Sequence, residues 1–263
     1  MYQVANAAQD HDIPPTPAAG GGVTARDDIP TEWLPFTVNV VRTAQELKKA
    51  VEIRHSAYAR HMPEFADTLR APEKMDLEPG VVIFLAASKV DGSPLGTMRV
   101  QTNAFRPLAL ESSVTLPPHL QSASLAEATR LGITQDRLGR LVKTALFKSF
   151  YQYCLFSGIE WMVIAGRSPI DRQYERLMFR DIHPEGGYIP LKHASNIPHR
   201  VMSLEVANVE ALWRTANHPL YSFFFQTHHP DLETDRNRSN RVQYEQPLPL
   251  ALALAKSGDV QFG

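Results

Sequence analysis

Apolar residues along the chain form short runs typical of strands, separated by stretches with helical spacing. "WLPFTVNVV" predicts a first strand, and "VVIFLAAS" and "LGTMRVQT", joined through Asp91-Gly92, predict a β-hairpin. "SLAEATRLGI" predicts a third long strand and "WMVIA" another buried one. "GGYIPLKHA" and "HRVMSLEV" predict late strands.

Helices are predicted between these strands. Thr43 and Glu46 stand at capping-box spacing and open the first helix. A second helix ends at Gly158, and its apolar face consists of Leu138, Leu141, Val142, Ala145, Leu146, Phe150 and Tyr153. Ser168 and Pro169 predict the N-cap and first residue of a third helix, and "NVEALWRTANHPLYSFFF" predicts a terminal one. This order predicts an α/β (α+β) fold, a mixed sheet with helices on both faces.

Composition divides the chain into three parts. Residues 1–30 are rich in Ala, Gly, Pro and Asp and predict a disordered N-terminal segment. Residues 31–206 contain the predicted strands and helices and form the expected catalytic domain. Residues 207–263 hold the terminal helix and an extension, which we expect to pack on the same domain.

Charge and cysteine content narrow the function classes. A formal net charge of −1 gives no support for nucleic-acid binding. Cys154 is the single cysteine, which excludes an internal disulfide and fits a reducing, cytoplasmic location. No apolar run reaches the roughly 18 to 20 residues of a transmembrane helix, although peripheral membrane contact stays open. The N-terminal residues have neither the basic start nor the apolar core of a secretory signal.

Two charged residues interrupt the third long strand. Glu127 and Arg130 lie three residues apart, so on a regular strand they face opposite sides of the sheet, and a shared site requires an unpaired strand edge or a β-bulge. Arg99, in the preceding hairpin strand, can pair with Glu127 across the sheet. On these residues alone, a structural ion-pair network and a functional site are about equally supported.

The turn "TQDRLGR" joins this strand to the second helix. Helix N-terminal N–H groups together with nearby Arg and Lys side chains form anion sites. Gly139 would let the backbone approach a ligand, while Arg137, Arg140 and Lys143 supply positive charge. The segment therefore predicts an anion-binding site at the start of the helix.

The segment Tyr174 to Phe179, "YERLMF", resembles a late-helix pattern of the Gcn5-related N-acyltransferase (GNAT) superfamily, with Met178 in place of the usual glycine. In that superfamily the strand–turn–helix before this pattern holds the phosphate of the acyl donor, and here "LGITQDRLGR" falls at that place. The resemblance implies a GNAT-like central mixed, largely antiparallel sheet.

Four further motifs, in order, resemble a narrower branch. They are "RHSAY" with Arg54, an acidic loop with Asp76, "GTMRV" with Arg99, and "EATR" with Glu127 and Arg130. They are similar to motifs of acyl-homoserine-lactone synthases and, more closely, of their relatives, the long-chain N-acyl amino acid synthases. The resemblance implies transfer of a fatty acyl group from an acyl carrier protein thioester to the amino group of an amino acid.

Residue roles follow from this resemblance. It implies Glu127 as the base, directly or through a water, and Tyr174 as proton donor to the departing thiolate, with packing of the helix on the sheet as the other role open to Tyr174. It also implies Arg54, Asp76, Arg99 and Arg130 at the amino acid substrate, where Arg99 and Arg130 would hold its carboxylate or orient Glu127. The acyl donor, acyl phosphopantetheine on carrier protein or acyl-CoA, would contact Leu131, Gly132, Ile133, Arg137, Gly139, Arg140 and Lys143. Phe84, Met98, Phe147 and Trp161 are candidates for an acyl tunnel, and Arg137, Arg140, Lys143 and Lys148 for a basic surface that receives an acidic carrier protein.

Two other functions stay open. One is a homoserine-lactone-type signal synthase that uses S-adenosylmethionine, and the other is a non-catalytic module that binds acyl chains or carrier protein. A metal site is not expected, because the ten histidines lack the spacing of zinc ligands.

Overall fold

The computed structural model describes residues 29–233. The strands are β1 (Phe36–Val40), β2 (Val81–Ser88), β3 (Pro94–Thr102), β4 (Leu125–Ile133), β5 (Trp161–Gly166), β6 (Arg180–Asp181), β7 (Ile189–Leu191) and β8 (Ile197–Glu205). The helices are α1 (Ala44–Ala59), α2 (Pro63–Asp67), α3 (Pro118–Gln121), α4 (Gly139–Phe156), α5 (Asp171–Arg176) and α6 (Val209–Thr215). Short turns of 3₁₀ helix include Lys74–Leu77, Ala109–Ser112 and Lys192–Ala194, and a π turn spans Ser222–Gln226.

One mixed sheet organises the fold. The strand order is β1-β2-β3-β4-β5-β8-β6, with β7 paired to β8. Among these strands β4 and β5 form the one parallel pair, and the others pair antiparallel. The predicted fold class, a largely antiparallel GNAT-like sheet with helices, is confirmed.

Alternation along β2 places helices on both faces of the sheet. Successive strand residues point to opposite faces. Val82 and Phe84 join the core beneath α4, whereas Ile83 and Leu85 pack against the buried face of α1. The interior of the sheet is therefore covered on each side by one long helix.

Some helix ends lie where the sequence predicts them, and others do not. Thr43 and Glu46 form the predicted capping box of α1, and Gly158, just after α4, has φ 66°. The predicted N-cap at Ser168 is wrong, because α5 begins at Asp171 after a turn closed on the carbonyl of Arg167. α5 ends at Arg176, and the φ of 70° at Met178 is incompatible with a continuing helix.

The predicted terminal helix is broken into two pieces. After α6 the chain turns at Asn217, which has φ 49°, and continues into the π turn. Trp213, Phe224 and Leu232 join the core beneath α4. The chain then runs beside β1, where the N–H of Val38 donates to the carbonyl of Asp231. Residues 207–233 thus pack on the same core as the sheet.

Of the segment 1–30 that was predicted to be disordered, residues 1–28 lie outside the described residues, and so does the extension after residue 233. Along residues 29–233, no helix combines the length and the apolar character needed to cross a membrane.

Candidate active site

The parallel strands β4 and β5 diverge and open a cavity between them. Their pairing begins with Leu125 opposite Trp161 and ends with Ala128 opposite Ile164, yet β4 continues to residue 133. The cavity has a volume of about 150 Å³ and is bordered by both strands, by α1 and α2, and by the segment around β7. Its polar lining consists of Tyr58, His61, Thr129, Arg130, Arg167, Tyr174, His193 and His199.

β4 contains a bulge of the kind that a site shared by Glu127 and Arg130 would require. Thr97 faces Gly132 and Arg99 faces Thr129, so β4 has one more residue than β3 across this step. Arg130, within the bulge, has φ 54°. The bulge therefore breaks the regular alternation of side chains between Glu127 and Arg130.

Glu127 and Arg130 both lie next to His193, a residue that no sequence motif indicated. Arg130 Nη2 donates to the carbonyl oxygen of His193 at 3.1 Å. Glu127 Oε1 lies 3.6 Å from His193 Nε2, longer than a hydrogen bond. Spacing gives no indication of His193, because it follows Glu127 by 66 residues in a short turn after β7.

Glu127 is fully buried and incompletely hydrogen-bonded. Its Oε2 accepts the N–H of Leu110 at 3.3 Å, whereas Oε1 has no hydrogen-bond partner among the described residues. Burial raises the Glu127 pKa to about 7, against the opposing effects of the Leu110 N–H and of Arg99 and Arg130. The carboxyl group lies behind His193 and is not itself part of the cavity lining.

The predicted ion pair between Arg99 and Glu127 is wrong. Gln101, not Arg99, lies opposite Glu127 in the sheet. Arg99 Nε donates to Thr129 Oγ1 at 3.1 Å, and its Nη1 is 3.1 Å from Asp76 Oδ1. The register of β3 and β4 therefore directs Arg99 toward the acidic loop.

Arg99 belongs to a buried network of three arginines and two carboxylates. Arg54 forms two hydrogen bonds with Asp76, at 2.8 and 3.0 Å. Glu73 accepts from Arg54 at 3.2 Å, from Arg99 at 3.0 Å and from Arg130 at 2.7 and 2.6 Å. The four predicted substrate residues, Arg54, Asp76, Arg99 and Arg130, thus form one cluster around Glu73.

Glu73 is the member of this network to which no sequence motif assigned a role. Burial alone would raise its pKa, but hydrogen bonding by Arg130 and the charges of Arg130, Arg99 and Arg54 lower the pKa to about 2. Its position three residues before Asp76 was visible in the sequence, and the two residues share a 3₁₀ capping arrangement.

Only Arg130 of the four predicted substrate residues borders the cavity. Arg54 and Asp76 are buried behind it, with 0% and 1% of their surfaces exposed. Arg130 also lies over the ring of Phe65, with 5.1 Å between the guanidinium carbon and the ring centroid. The network consequently fixes the orientation of Arg130 from behind.

Tyr174 lies in the cavity wall between aromatic neighbours. Its ring centroid is 5.9 Å from that of Phe147 and 6.4 Å from that of Phe179. A Cβ at Gly166 would approach the Tyr174 ring to 2.9 Å, so a glycine there makes room for the tyrosine. Burial raises the Tyr174 pKa, which keeps the phenol protonated.

The predicted donor residues of β4 border the cavity or pack against α1. Leu131 is part of the lining. A Cβ at Gly132 would lie 3.0 Å from the Cα of Arg54, so Gly132 allows α1 to cross β4 closely. The carbonyl of Ile133 accepts from Arg60 Nη2 at 2.6 Å.

The start of α4 carries the predicted basic residues. Gly139 is needed locally, because a Cβ there would lie 2.4 Å from the carbonyl oxygen of Thr134. Arg137 and Arg140 are exposed. Lys143 donates to Gln173 Oε1, and burial together with the charges of Arg140 and Arg176 lowers its pKa.

Lys148 does not belong to this basic surface. Its Nζ donates to the carbonyls of Phe223 and Thr227 at 2.7 Å each and lies 2.8 Å from Nδ1 of His229. Burial lowers the Lys148 pKa to about 8. The predicted exposure is wrong because the segment after α6 covers this part of α4.

The residues expected to form an acyl tunnel lie elsewhere. Phe84, Met98 and Phe147 are core side chains, and Trp161 packs on His119 with ring centroids 5.3 Å apart. The apolar lining of the cavity instead includes Ala57, Met62, Phe65, Leu131, Ile170 and Leu191. Across residues 29–233, the structure brings no three potential metal ligands of the His, Cys, Asp and Glu types together.

The family profile of the N-acyl amino acid synthase FeeM matches residues 49–200. The structure of FeeM, from uncultured soil microbes, superposes with a TM-score of 0.52 at 16% identity, covering 69% of this chain and 96% of that chain.

Two further solved structures resemble the chain more weakly. One is BjaI, a CoA-dependent acyl-homoserine lactone synthase, with TM-score 0.47 and 14% identity over 79% of this chain and 100% of that chain. The other is aminoglycoside N(6')acetyltransferase from Legionella pneumophila, with TM-score 0.46 and 13% identity over 68% and 96%. No curated protein sequence shows significant similarity.

The profile spans more than half of the 263 residues and contains the bulged strand β4, the ion network and the cavity. The chain therefore belongs to the FeeM family of N-acyl amino acid synthases and is an N-acyltransferase.

Proposed function

We propose that the chain transfers a fatty acyl group from an acyl carrier protein thioester to the amino group of an amino acid, giving an N-acyl amino acid. One observation carries the choice of acceptor. Arg130, Arg167 and three histidines line the cavity, and among residues 29–233 no aspartate or glutamate does. Such a lining favours a substrate with a carboxylate.

Three groups serve the acyl transfer. The amine attacks the thioester carbonyl, and backbone N–H groups near Leu131 to Ile133 stabilise the oxyanion. Tyr174 donates a hydrogen bond to the departing sulfur. Because its pKa is above that of a thiol, complete proton transfer to the thiolate is unfavourable, and the hydrogen bond is the stabilising element. Glu127, buried behind the cavity lining, serves the removal of the amine proton.

The buried network has a supporting role in this proposal. Arg130 faces the substrate carboxylate, while Arg54, Asp76 and Arg99 hold Arg130 and Glu73 in place. A two-pronged guanidinium fixed on one side presents its remaining donors in a defined direction.

The start of α4 receives the donor. We assign Arg137, Gly139, Arg140 and Lys143 to the phosphate of a phosphopantetheine arm or of CoA, because basic side chains at a helix start favour an anion. The exposed arginines fit an acidic carrier protein, which we place as the donor partner in the cytoplasm, with peripheral membrane contact on product release. A carrier-bound donor and acyl-CoA share the thioester and phosphate chemistry, so direct comparison of the two distinguishes them.

Two alternatives are weighed against this proposal. S-adenosylmethionine carries a sulfonium cation, which a lining of arginines and histidines without a carboxylate disfavours. A non-catalytic module does not account for membership of a synthase family.

Mass spectrometry tests the proposal. Cells expressing the wild-type protein or Glu127→Ala are extracted, and purified protein is incubated with acyl carrier protein and acyl-CoA donors and an amino acid mixture. We expect N-acyl amino acids from the wild type alone and faster turnover with carrier-bound donors. Methylthioadenosine release from S-adenosylmethionine would instead establish a lactone-type synthase, and absence of any acylated product with all donors would overturn the proposal.

A further inference from the structure

We propose that His193, not Glu127, is the residue that takes the proton from the attacking amine, and that it passes a proton on to Glu127 behind it. This inference rests on the proposed function and assigns the proton path within that site.

The two side chains lie in series from the cavity inward. His193 borders the cavity, whereas Glu127 does not. His193 Nε2 is 3.6 Å from Glu127 Oε1, and both Oε1 and His193 Nδ1 are buried atoms without a hydrogen-bond partner among the described residues. Catalytic hydrogen bonds are commonly long in ligand-free structures and shorten when substrate is bound.

The backbone around His193 is fixed from several sides. Its carbonyl accepts from Arg130 Nη2 at 3.1 Å, and the neighbouring N–H of Lys192 donates to Ser113 Oγ at 2.9 Å. Ser195 and Asn196 both have positive φ, and the Asn196 N–H closes the turn on the Leu191 carbonyl at 2.9 Å. This anchoring places the imidazole between the cavity and Glu127.

The protonation states suit a relay. Burial, together with Arg130, Arg99 and His199, lowers the His193 pKa to about 4, so the ring is neutral at pH 7 and one nitrogen is free to accept a proton. The Glu127 pKa of about 7 lets the carboxyl group hold or release a proton near neutral pH. Arg99, Arg130 and His199 are the charged and titratable groups that act on the pair, and the Ala109 backbone opposes both pKa shifts.

The step balances as a double proton transfer. The amine nitrogen forms a bond to the thioester carbon, and one of its protons moves to His193 Nδ1. The proton already on Nε2 moves to Glu127 Oε1, so the imidazole changes tautomer without gaining net charge. The carbon–sulfur bond then breaks and the thiolate leaves, while the proton on Glu127 returns to solvent by the reverse path.

Kinetics of His193→Ala, with and without added imidazole, test this assignment. We expect kcat to fall at least about 100-fold with KM for the donor changed little, and imidazole to restore part of kcat. His183→Gln is the matched control, because His183 lies outside the cavity and bonds to the backbone at Thr115. A His193→Ala variant that folds and keeps more than a tenth of wild-type kcat would overturn the assignment, and so would a loss that imidazole does not rescue.

A second measurement does not need turnover or the alanine variant. Nitrogen-15 NMR of histidine-labelled protein, with His193→Gln used to assign the signal, reports tautomer and charge. We expect a neutral His193 at pH 6 with its proton on Nε2 and a signal that shifts in Glu127→Gln. A charged ring, or no response to Glu127→Gln, would refute the relay even if acyl transfer itself is confirmed, whereas a wild-type protein without acyltransferase activity would refute the proposed function instead.

Discussion

Both carboxylate oxygens of Glu73 accept hydrogen bonds from the guanidinium of Arg130, at 2.6 and 2.7 Å, across 57 residues of the chain. This fork holds the bulged residue of β4 against the acidic loop. Because Arg130 also bonds the carbonyl of His193, the fork links the ion network to the cavity wall. Glu73 therefore holds Arg130 at the wall of the cavity.

Replacing Glu73 with Gln tests this link. It leaves three buried arginines with one carboxylate, and breaking a buried pair costs about 3 to 5 kcal/mol, which we reduce to about 2 kcal/mol because Glu73 is 22% exposed. Since the folded pKa of Glu73 is about 2, below its unfolded value, wild-type stability conferred by this group is full above pH 4.5 and is lost as pH falls toward 2. Urea unfolding at pH 7 and pH 3 measures both effects.

The control for this experiment is Glu78→Gln. Glu78 pairs with the partly exposed Arg106 outside the network. We expect a stability change within about 0.5 kcal/mol for this variant. An equal loss in both variants would show that the fork at Glu73 has no special role.

Glu127→Gln should inactivate the enzyme and yet stabilise the fold at high pH. The folded pKa of about 7 lies above the unfolded value, so the wild type loses stability as pH rises from 4.5 through 7. The amide does not ionise, and we expect the variant to be more stable than the wild type by about 3 kcal/mol at pH 8 and of similar stability at pH 4. Parallel denaturation curves at the two pH values decide the matter, because a variant less stable at pH 8 would contradict the burial argument.

Gly139→Ala should disturb the start of α4. The added Cβ would approach the Thr134 carbonyl oxygen to 2.4 Å, so either the turn or the first helical residue must move. We expect a loss of about 1 to 3 kcal/mol and a higher KM for the acyl donor. Gly158→Ala, at the other end of α4, is the comparison, since it meets open space and has only the cost of its positive φ. Donor KM should stay unchanged there.

Local patterns in the sequence predicted the long strands and the two long helices. The capping box at Thr43, the Asp91-Gly92 turn and the alternation along β2 are local signals, and the structure follows them. The charged pair in β4 likewise predicted the bulge at Arg130, because no regular strand brings both side chains to one place.

The site itself depended on contacts that no local pattern encodes. The partner of Arg99 follows from the register of β3 with β4, and the role of Glu73 follows from folding of the acidic loop over that pair of strands. His193 lies in a turn without periodicity, and Lys148 is buried only because a distant segment covers α4. Sequence identifies the ionisable residues, whereas tertiary contacts decide which of them meet.

The contact of Lys148 with His229 should make the free energy of unfolding sensitive to acid. Burial, with the charge of Lys148, lowers the His229 pKa to about 4, so the unfolded chain binds a proton between pH 6.5 and 4 that the folded protein does not. Stability therefore falls as pH drops through this window, by about 2 kcal/mol. His229→Asn, which retains an acceptor for Lys148, should show a shallower slope. An unchanged slope would assign the acid sensitivity to other groups.

Charge reversal at Arg140 tests how the acyl donor is delivered. Arg140 is exposed at the start of α4, so glutamate in its place should leave folding intact while repelling an acidic carrier protein. We expect KM for carrier-bound donors to rise about 10-fold and to fall back partly at high salt, since screening weakens surface charges. Acyl-CoA, which presents a smaller charged surface, should show a smaller rise. The control for a general charge effect is Arg214→Glu, because Arg214 is an exposed residue of α6. An equal rise of the donor KM in both variants would mean that the carrier protein does not dock at the start of α4.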